Sequence, residues 1–120
     1  MLVGEIHIWS TDKAKGHDSR NKYHLYIGEC AWEDGHAFLF INSGKYGSDF
    51  ELLKLDYPFF PLEKSYISLT GIIPYSDREL ESMAPVLKGR LTNQHMKDLF
   101  NAVADCKSLS ENMLNRMNRL

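Results

Sequence analysis

Residues 36–43, "HAFLFINS", form an almost wholly apolar run of strand length. Apolar side chains on both faces of one strand are typical of a strand that is covered on both sides. Turn chemistry at residues 33–35, "EDG", precedes this run, and two glycines, Gly44 and Gly47, follow it. We therefore predict a central strand here, and the other elements are placed outward from it.

Alternating segments come before this run in the chain. Residues 22–28, "KYHLYIG", place Lys22, His24 and Tyr26 on one face and apolar side chains on the other, and residues 4–10 alternate in the same way. A period of two is the signature of a half-buried strand. We predict two strands before the central one, joined to each other by a polar loop.

Two more strands are predicted after the central run, at residues 49–56, "DFELLKLD", and 65–73, "SYISLTGII". A proline corner stops the first and Pro74 closes the second, because proline cannot donate to a strand ladder. The aromatic residues of that corner, Tyr57 to Phe60, are expected to close the core. Short strands with tight connections favour a small barrel of about five strands over residues 3–73, since closure removes exposed edges.

The last third of the chain changes to a helical period. Apolar residues recur at i, i+3, i+4 and i+7 from Met96 to Val103, and Thr92 is a suitable N-cap. Ser108 and Glu111 form a capping-box pattern that opens a second helix. We predict helices over residues 92–118, and we interpret residues 76–85, "SDRELESMAP", as a short helical connection that ends at Pro85. The expected fold class is mainly β with C-terminal helices.

Composition limits the function classes. The chain has 120 residues, 43% of them hydrophobic and 25% charged, with a net charge of −2, which is typical of one soluble domain. Any nucleic-acid contact must therefore come from a local cluster of cations.

Neither the two cysteines nor His7 and His36 show metal-ligand spacing, so no metal or other cofactor is expected. Without a signal-like or membrane-spanning run, we expect a cytoplasmic protein with no membrane contact.

Several short motifs resemble one family. Residues 65–69, "SYISL", residues 89–91, "GRL", and residues 92–103, "TNQHMKDLFNAV", follow each other as a strand, a turn and a final amphipathic helix do in the MazF/PemK-like toxins. "VGEIHIW", "NKYHLYIGE" and "FLFINS" correspond more loosely to the opening strands of that family. The resemblance implies an SH3-like barrel with C-terminal helices. It also implies a homodimer that cleaves single-stranded RNA without a metal and is blocked by a cognate antitoxin protein.

The resemblance also carries site residues. The family uses an arginine at the start of the second strand and a threonine at the end of the third, and these positions correspond to Lys22 and Ser43 here. Lysine keeps the cation but loses the guanidinium fork, whereas serine keeps the hydroxyl. Residues 73–76, "IPYS", replace the family's "RTID"-like RNA contacts and contain neither the arginine nor the aspartate.

The neighbouring residues complete the hypothesis. Cleavage through a ribose 2′-hydroxyl needs a base, a cation beside the phosphate and a donor for the leaving oxygen. Arg20 is expected to assist Lys22, and His17 and His24 are candidates for the acid and base because histidine titrates near neutral pH. A packed histidine is the alternative for His24. The predicted RNA contacts are Lys45, Tyr26 and Lys15.

Two further functions stay open. One is a catalytically silent barrel of the same fold that binds a protein partner, and the other is a module that binds RNA without cutting it. The acidic balance of the chain and the lost arginine and aspartate favour the first of these, the silent barrel that binds a protein partner.

Overall fold

The computed structural model describes residues 1–13, 20–29 and 35–105. Within them, the elements run in the order β1 (Glu5–Thr11), β2 (Arg20–Glu29), β3 (Gly35–Asn42), β4 (Asp49–Leu53), β5 (Lys64–Ser68), β6 (Ile73–Ser76), α1 (Asp77–Met83), β7 (Val86–Arg90) and α2 (Asn93–Asp105). The mainly β fold class with helices towards the C-terminus is confirmed.

The strands form one antiparallel sheet that curls into a half-barrel. Its order is β4-β5-β3-β2-β1-β7, and β6 pairs with the remaining part of β3. The predicted central strand is thus confirmed as β3, which pairs with β2 on one side and with β5 and then β6 on the other.

Two local predictions were wrong, and in both cases the pairing of strands in the sheet explains the difference. The expected single strand over residues 65–73 is divided, since β5 ends at Ser68 and β6 begins at Ile73 with Pro74 inside it. Pro74 is opposite Ala37, on the side of β6 that faces β3. Proline is tolerated in short outer strands of this kind, where the missing N–H leaves few ladder bonds unmade.

Gly89 and Arg90, expected in a turn, belong to β7 and pair with β1. The described part of the chain therefore holds seven strands rather than about five, and the sheet extends to Arg90.

The inner face of the sheet carries the larger apolar core. Ile6, Leu25 and Leu39 are fully buried there, and α2 adds Leu99 and Val103. The backbone N–H of His95 donates to Thr92 Oγ1 at 3.1 Å, which confirms the predicted N-cap. The aromatic corner closes this core as expected, with Tyr57 and Phe60 buried. The second helix predicted from Ser108 onward lies outside the described residues.

A second apolar cluster covers the outer face of the sheet. It consists of Trp9, Tyr26, Phe38, Tyr75 and Leu80. Leu80 comes from α1, which begins at a capping box formed by Ser76 and Glu79 and packs against β1 and β6. The face that carries Lys22, His24 and Tyr26 is therefore partly covered by a helix instead of being open to solvent throughout.

In the three described stretches, the helices are all too short or too polar to cross a lipid bilayer.

Candidate functional site

Lys22 is anchored at the start of β2. It is directly opposite Trp9 on β1. Its Nζ donates a hydrogen bond to Asn42 Oδ1 at the end of β3 and lies 5.2 Å from the centre of the Phe40 ring. Burial of the ammonium group, and secondarily the nearby charge of Arg20, lowers the pKa of Lys22. The lysine is therefore a partly desolvated cation that is held in one place.

Arg20 and Ser43 lie at the same end of the sheet as Lys22. Arg20 precedes Lys22 by two residues on β2 and so shares its face, and its side chain is exposed. Ser43 directly follows Asn42, and Lys45 lies in the loop just beyond; both are exposed. We call Arg20, Lys22, Asn42, Ser43 and Lys45 the basic end of the sheet. Three cations, an amide and a hydroxyl thus lie at one end of the sheet, contributed by β2, by the end of β3 and by the loop after it.

His24 lies behind this end, in the covered part of the outer face. Its residue surface is 0% exposed, and its ring stacks on Trp9 with 3.5 Å between centroids and 9° between planes. Burial lowers the pKa of His24 to about 3, so the ring is neutral at physiological pH. For His24 to exchange a proton with a substrate, the Trp9 and Tyr75 rings would have to move aside. The geometry favours the packed histidine over the acid or base.

The hydrogen bonds of His24 are consistent with a single tautomer of the neutral ring. Nδ1 is 2.8 Å from the carbonyl oxygen of Lys22, which only accepts, so Nδ1 carries the proton. The neutral Nε2 then accepts from the Tyr75 hydroxyl at 3.0 Å, and that hydroxyl in turn accepts from Thr11 Oγ1 at 2.6 Å. Burial raises the pKa of Tyr75 to about 12, which keeps its proton in place. This chain joins three strands and supports the backbone at Lys22.

Tyr26 is not part of the basic end. It is buried towards the other end of β2, and its hydroxyl is 2.9 Å from His36 Nδ1. His36 Nε2 donates to Asp77 Oδ1 at 2.6 Å, which ties the start of α1 to the sheet. The contacts of Tyr26 are structural, and the structure does not place it near Ser43. His17 and Lys15 lie outside the described residues.

Sequence reasoning missed three polar participants: Asn42, Thr11 and Tyr75. Asn42 was detectable in principle, because it shares a strand face with Phe40 and precedes Ser43. Thr11 and Tyr75 are far apart in the chain, and no local pattern pairs them. Their contact depends on α1 and β6 returning over β1.

Among residues 1–13, 20–29 and 35–105, no group of three or more His, Cys, Asp or Glu side chains is placed to hold a metal ion. No protein-family model matches this chain, and no curated protein is significantly similar to it. The resemblance to the MazF/PemK-like toxins therefore stays a prediction.

Proposed function

We propose that this protein is a cytoplasmic, metal-independent endoribonuclease of the MazF/PemK type, the toxin of a toxin–antitoxin pair, and that it cuts single-stranded RNA at the basic end of the sheet. One observation carries the proposal. Lys22 and Ser43, the two positions that the resemblance assigns to a single site, are neighbours through the Lys22–Asn42 hydrogen bond. Arg20 lies on the same face of the sheet.

The proposed reaction uses these groups in separate roles. The ribose 2′-oxygen attacks the adjacent phosphorus, its proton passes to a base, and the 5′-oxygen leaves with a proton from an acid, so that a 2′,3′-cyclic phosphate and a 5′-hydroxyl are formed. Arg20 and Lys22 stabilise the charge that develops on the phosphate oxygens. The Ser43 hydroxyl binds a phosphate oxygen or the 2′-hydroxyl. His17, which precedes β2 in the chain, is the proposed base, since His24 is buried and neutral.

A second candidate function is binding of single-stranded RNA without cleavage. The observation that favours it is the burial of His24. Without that histidine, the described part of the basic end supplies cations, an amide and a hydroxyl. These groups can bind a phosphate backbone without a catalytic acid or base.

The test is incubation of purified protein with a fluorophore–quencher single-stranded RNA in buffer that contains EDTA. We expect cleavage that falls by at least about 100-fold in Lys22→Ala, because a preorganised cation stabilises the transition state by several kcal/mol. Lys22→Arg should retain or raise the rate, since it restores the bidentate guanidinium fork. Ser43→Ala should slow cleavage, and Ser43→Thr should not. Lys88→Ala, an exposed lysine on β7, is the matched control and should cut at the unaltered rate.

The outcomes separate the two candidates. RNA that is retained but left intact would remove the nuclease proposal and support binding alone. RNA that is neither bound nor cut would remove both.

Expression of the chain alone in a bacterial host tests the toxin assignment. Growth arrest that is relieved by the product of a small neighbouring gene is expected only for a toxin.

A further inference from the structure

Two of the six tyrosines in this chain do not hold the fold together. The hydroxyl groups of the other four form hydrogen bonds across the fold: Tyr23, Tyr26, Tyr57 and Tyr75. Within residues 1–13, 20–29 and 35–105, Tyr46 and Tyr66 form no hydrogen bond through the hydroxyl and pack against no other aromatic ring. Both belong to segments that adjoin the basic end of the sheet.

Tyr66 lies in a row of side chains that crosses the outer face of the sheet. Lys22 on β2 is hydrogen-bonded to Asn42 on β3, Asn42 is opposite Tyr66 on β5, and Tyr66 is opposite Glu51 on β4. Residues that are opposite each other in antiparallel strands share a face of the sheet. The next residue, Ile67, is fully buried in the inner core, so Tyr66 points outward. Two strand spacings, roughly 10 Å, separate the backbones at Lys22 and Tyr66.

The surroundings of Tyr66 leave room for a polyanion. Its side chain is partly exposed, and helix α1 packs against β1 and β6, on another part of the outer face. The neighbouring Glu51 carboxylate lies 3.3 Å from the Lys64 ammonium group. A carboxylate that is already paired with a cation repels a phosphate less than a free carboxylate does.

Tyr46 lies in the loop between β3 and β4, beside Lys45, and is 74% exposed. Its hydroxyl returns towards Gly44, where an added Cβ would lie 3.6 Å from that oxygen. The N–H groups of Tyr46 and Gly47 donate to Asp49 Oδ2 at 3.1 and 2.9 Å, which fastens the loop to the first residue of β4. The second ring is therefore attached to the same strands that carry Tyr66 and Glu51.

The pattern of cations beside free aromatic rings is the one that single-strand binders use, since phosphates contact the cations and bases stack on the rings. We propose that Tyr46 and Tyr66 form a stacking platform for the bases of a single-stranded RNA whose phosphates bind Arg20, Lys22 and Lys45. This inference rests on the proposed function, because it extends the RNA path from the basic end across β3 to β5. Stacking contacts the face of a base and not its hydrogen-bonding edge, so the stacking platform accepts any of the four bases.

The test is fluorescence anisotropy of the full chain with a labelled 2′-O-methyl oligonucleotide, which binds without being cut. Tyr66→Ala and Tyr46→Ala should each raise the dissociation constant by about 5- to 100-fold, the usual effect of losing one stacked base. Tyr66→Phe keeps the ring and should bind as the unaltered chain does. Phe100→Ala is the matched control, because Phe100 is an exposed aromatic residue on α2, which packs on the inner core. It should leave the dissociation constant unaltered.

Two further measurements separate stacking from an indirect effect on the fold. Tyr66→Ala should weaken binding without changing the slope of log K against log salt, because no phosphate contact is lost. Lys22→Ala should change that slope. An abasic strand of the same length keeps the phosphates but has no bases. It should bind the unaltered chain more weakly than the normal strand, and Tyr66→Ala should weaken its binding no further.

The outcomes distinguish this inference from the proposed function. Binding that Lys22→Ala weakens but neither tyrosine substitution changes would overturn the stacking platform and leave RNA binding at the basic end intact. A loss of equal size for the abasic strand in Tyr66→Ala would also overturn it. Binding that depends on both rings, for RNA that is never cut, would support the stacking platform and remove the nuclease proposal. An unaltered chain that binds neither strand would overturn both.

Discussion

Neutral His24 connects the backbone of Lys22 to the Tyr75 hydroxyl, and both of its ring nitrogens have assigned partners. In the unfolded chain a histidine protonates with a pKa of about 6.5, whereas the folded environment lowers the pKa to about 3. Between these two values the unfolded state binds more protons than the folded state. The contribution of His24 to stability is therefore complete above pH 6.5 and is lost as the pH falls towards 3.

We expect the folded chain to lose about 3 kcal/mol of unfolding free energy between pH 7 and pH 4 through His24 alone. The measurement is urea denaturation across this range for the unaltered chain and for His24→Phe. The variant will be less stable at pH 7, but its stability should fall less steeply with acid, and the difference in slope isolates His24 from the other titrating groups. Equal slopes would show that His24 is not buried in its neutral form. At pH 7, ¹⁵N NMR should also show a proton on Nδ1 and none on Nε2.

The Tyr75 hydroxyl joins two buried polar groups, so its removal has a defined cost. In Tyr75→Phe, Nε2 of His24 loses its donor, and among the described residues the Thr11 hydroxyl keeps only the Lys13 N–H as a partner. We expect a loss of about 1–3 kcal/mol in unfolding free energy, the usual penalty for buried groups that are left without a partner. Tyr46→Phe is the control, because Tyr46 is 74% exposed, and it should change stability by less than about 0.5 kcal/mol. Similar effects for the two variants would argue against the hydrogen-bond chain.

Among the strands, β7 depends on a close approach at one glycine. A Cβ at Gly89 would lie 2.6 Å from Cε2 of Phe59, and that ring packs against Tyr23, Tyr57 and Phe60. The ring cannot turn away without disturbing these neighbours. Gly89 therefore lets β7 pair with β1 beneath the aromatic corner.

We expect Gly89→Ala to destabilise the fold by about 1–3 kcal/mol, the range for overpacking. Gly71→Ala is the matched control: nothing lies within 4 Å of its added Cβ, and Gly71 is not among the glycines with positive φ. Thermal denaturation of both variants compares them directly. If Gly89→Ala were as stable as Gly71→Ala, the packing of β7 against the aromatic corner would not be as described.

For the molecule as a whole, charge is distributed unevenly. The net charge is −2, yet Arg20, Lys22 and Lys45 gather at the basic end of the sheet. Under the proposed function, binding of a single strand there would release counterions, with a slope of log K against log salt of about −0.7 per phosphate contact. Three contacts predict a slope of about −2.

Fluorescence anisotropy with a labelled 2′-O-methyl oligonucleotide measures this slope without cleavage, because the blocked 2′-oxygen cannot attack. Alanine at Arg20, Lys22 or Lys45 should each reduce the magnitude of the slope by about 0.7. Lys88→Ala should leave it unaltered. A slope that none of the three substitutions changes would place the nucleic acid on another surface.

Local patterns in the sequence determined the central strand, the two faces of β2 and the start of α2 in this protein. The apolar run before Ser43 marked β3, the period of two put Lys22, His24 and Tyr26 on one face of β2, and Thr92 marked the start of α2. These features depend on neighbours within a few residues, and such neighbours set side-chain direction and capping. The same pattern left open what covers that face.

Only the tertiary structure decided which of those side chains are exposed to solvent. Tyr75 of β6 returns over the outer face and, together with Trp9 and Phe40, encloses His24. Lys22 is left at the rim beside Asn42. The pKa of a side chain depends on all the groups packed around it, and here those groups come from β1, β2, β3 and β6. Alternation within one strand carries no information about contacts with strands elsewhere in the chain, and for this reason the sequence could propose His24 as a catalyst and the fold placed it in a core.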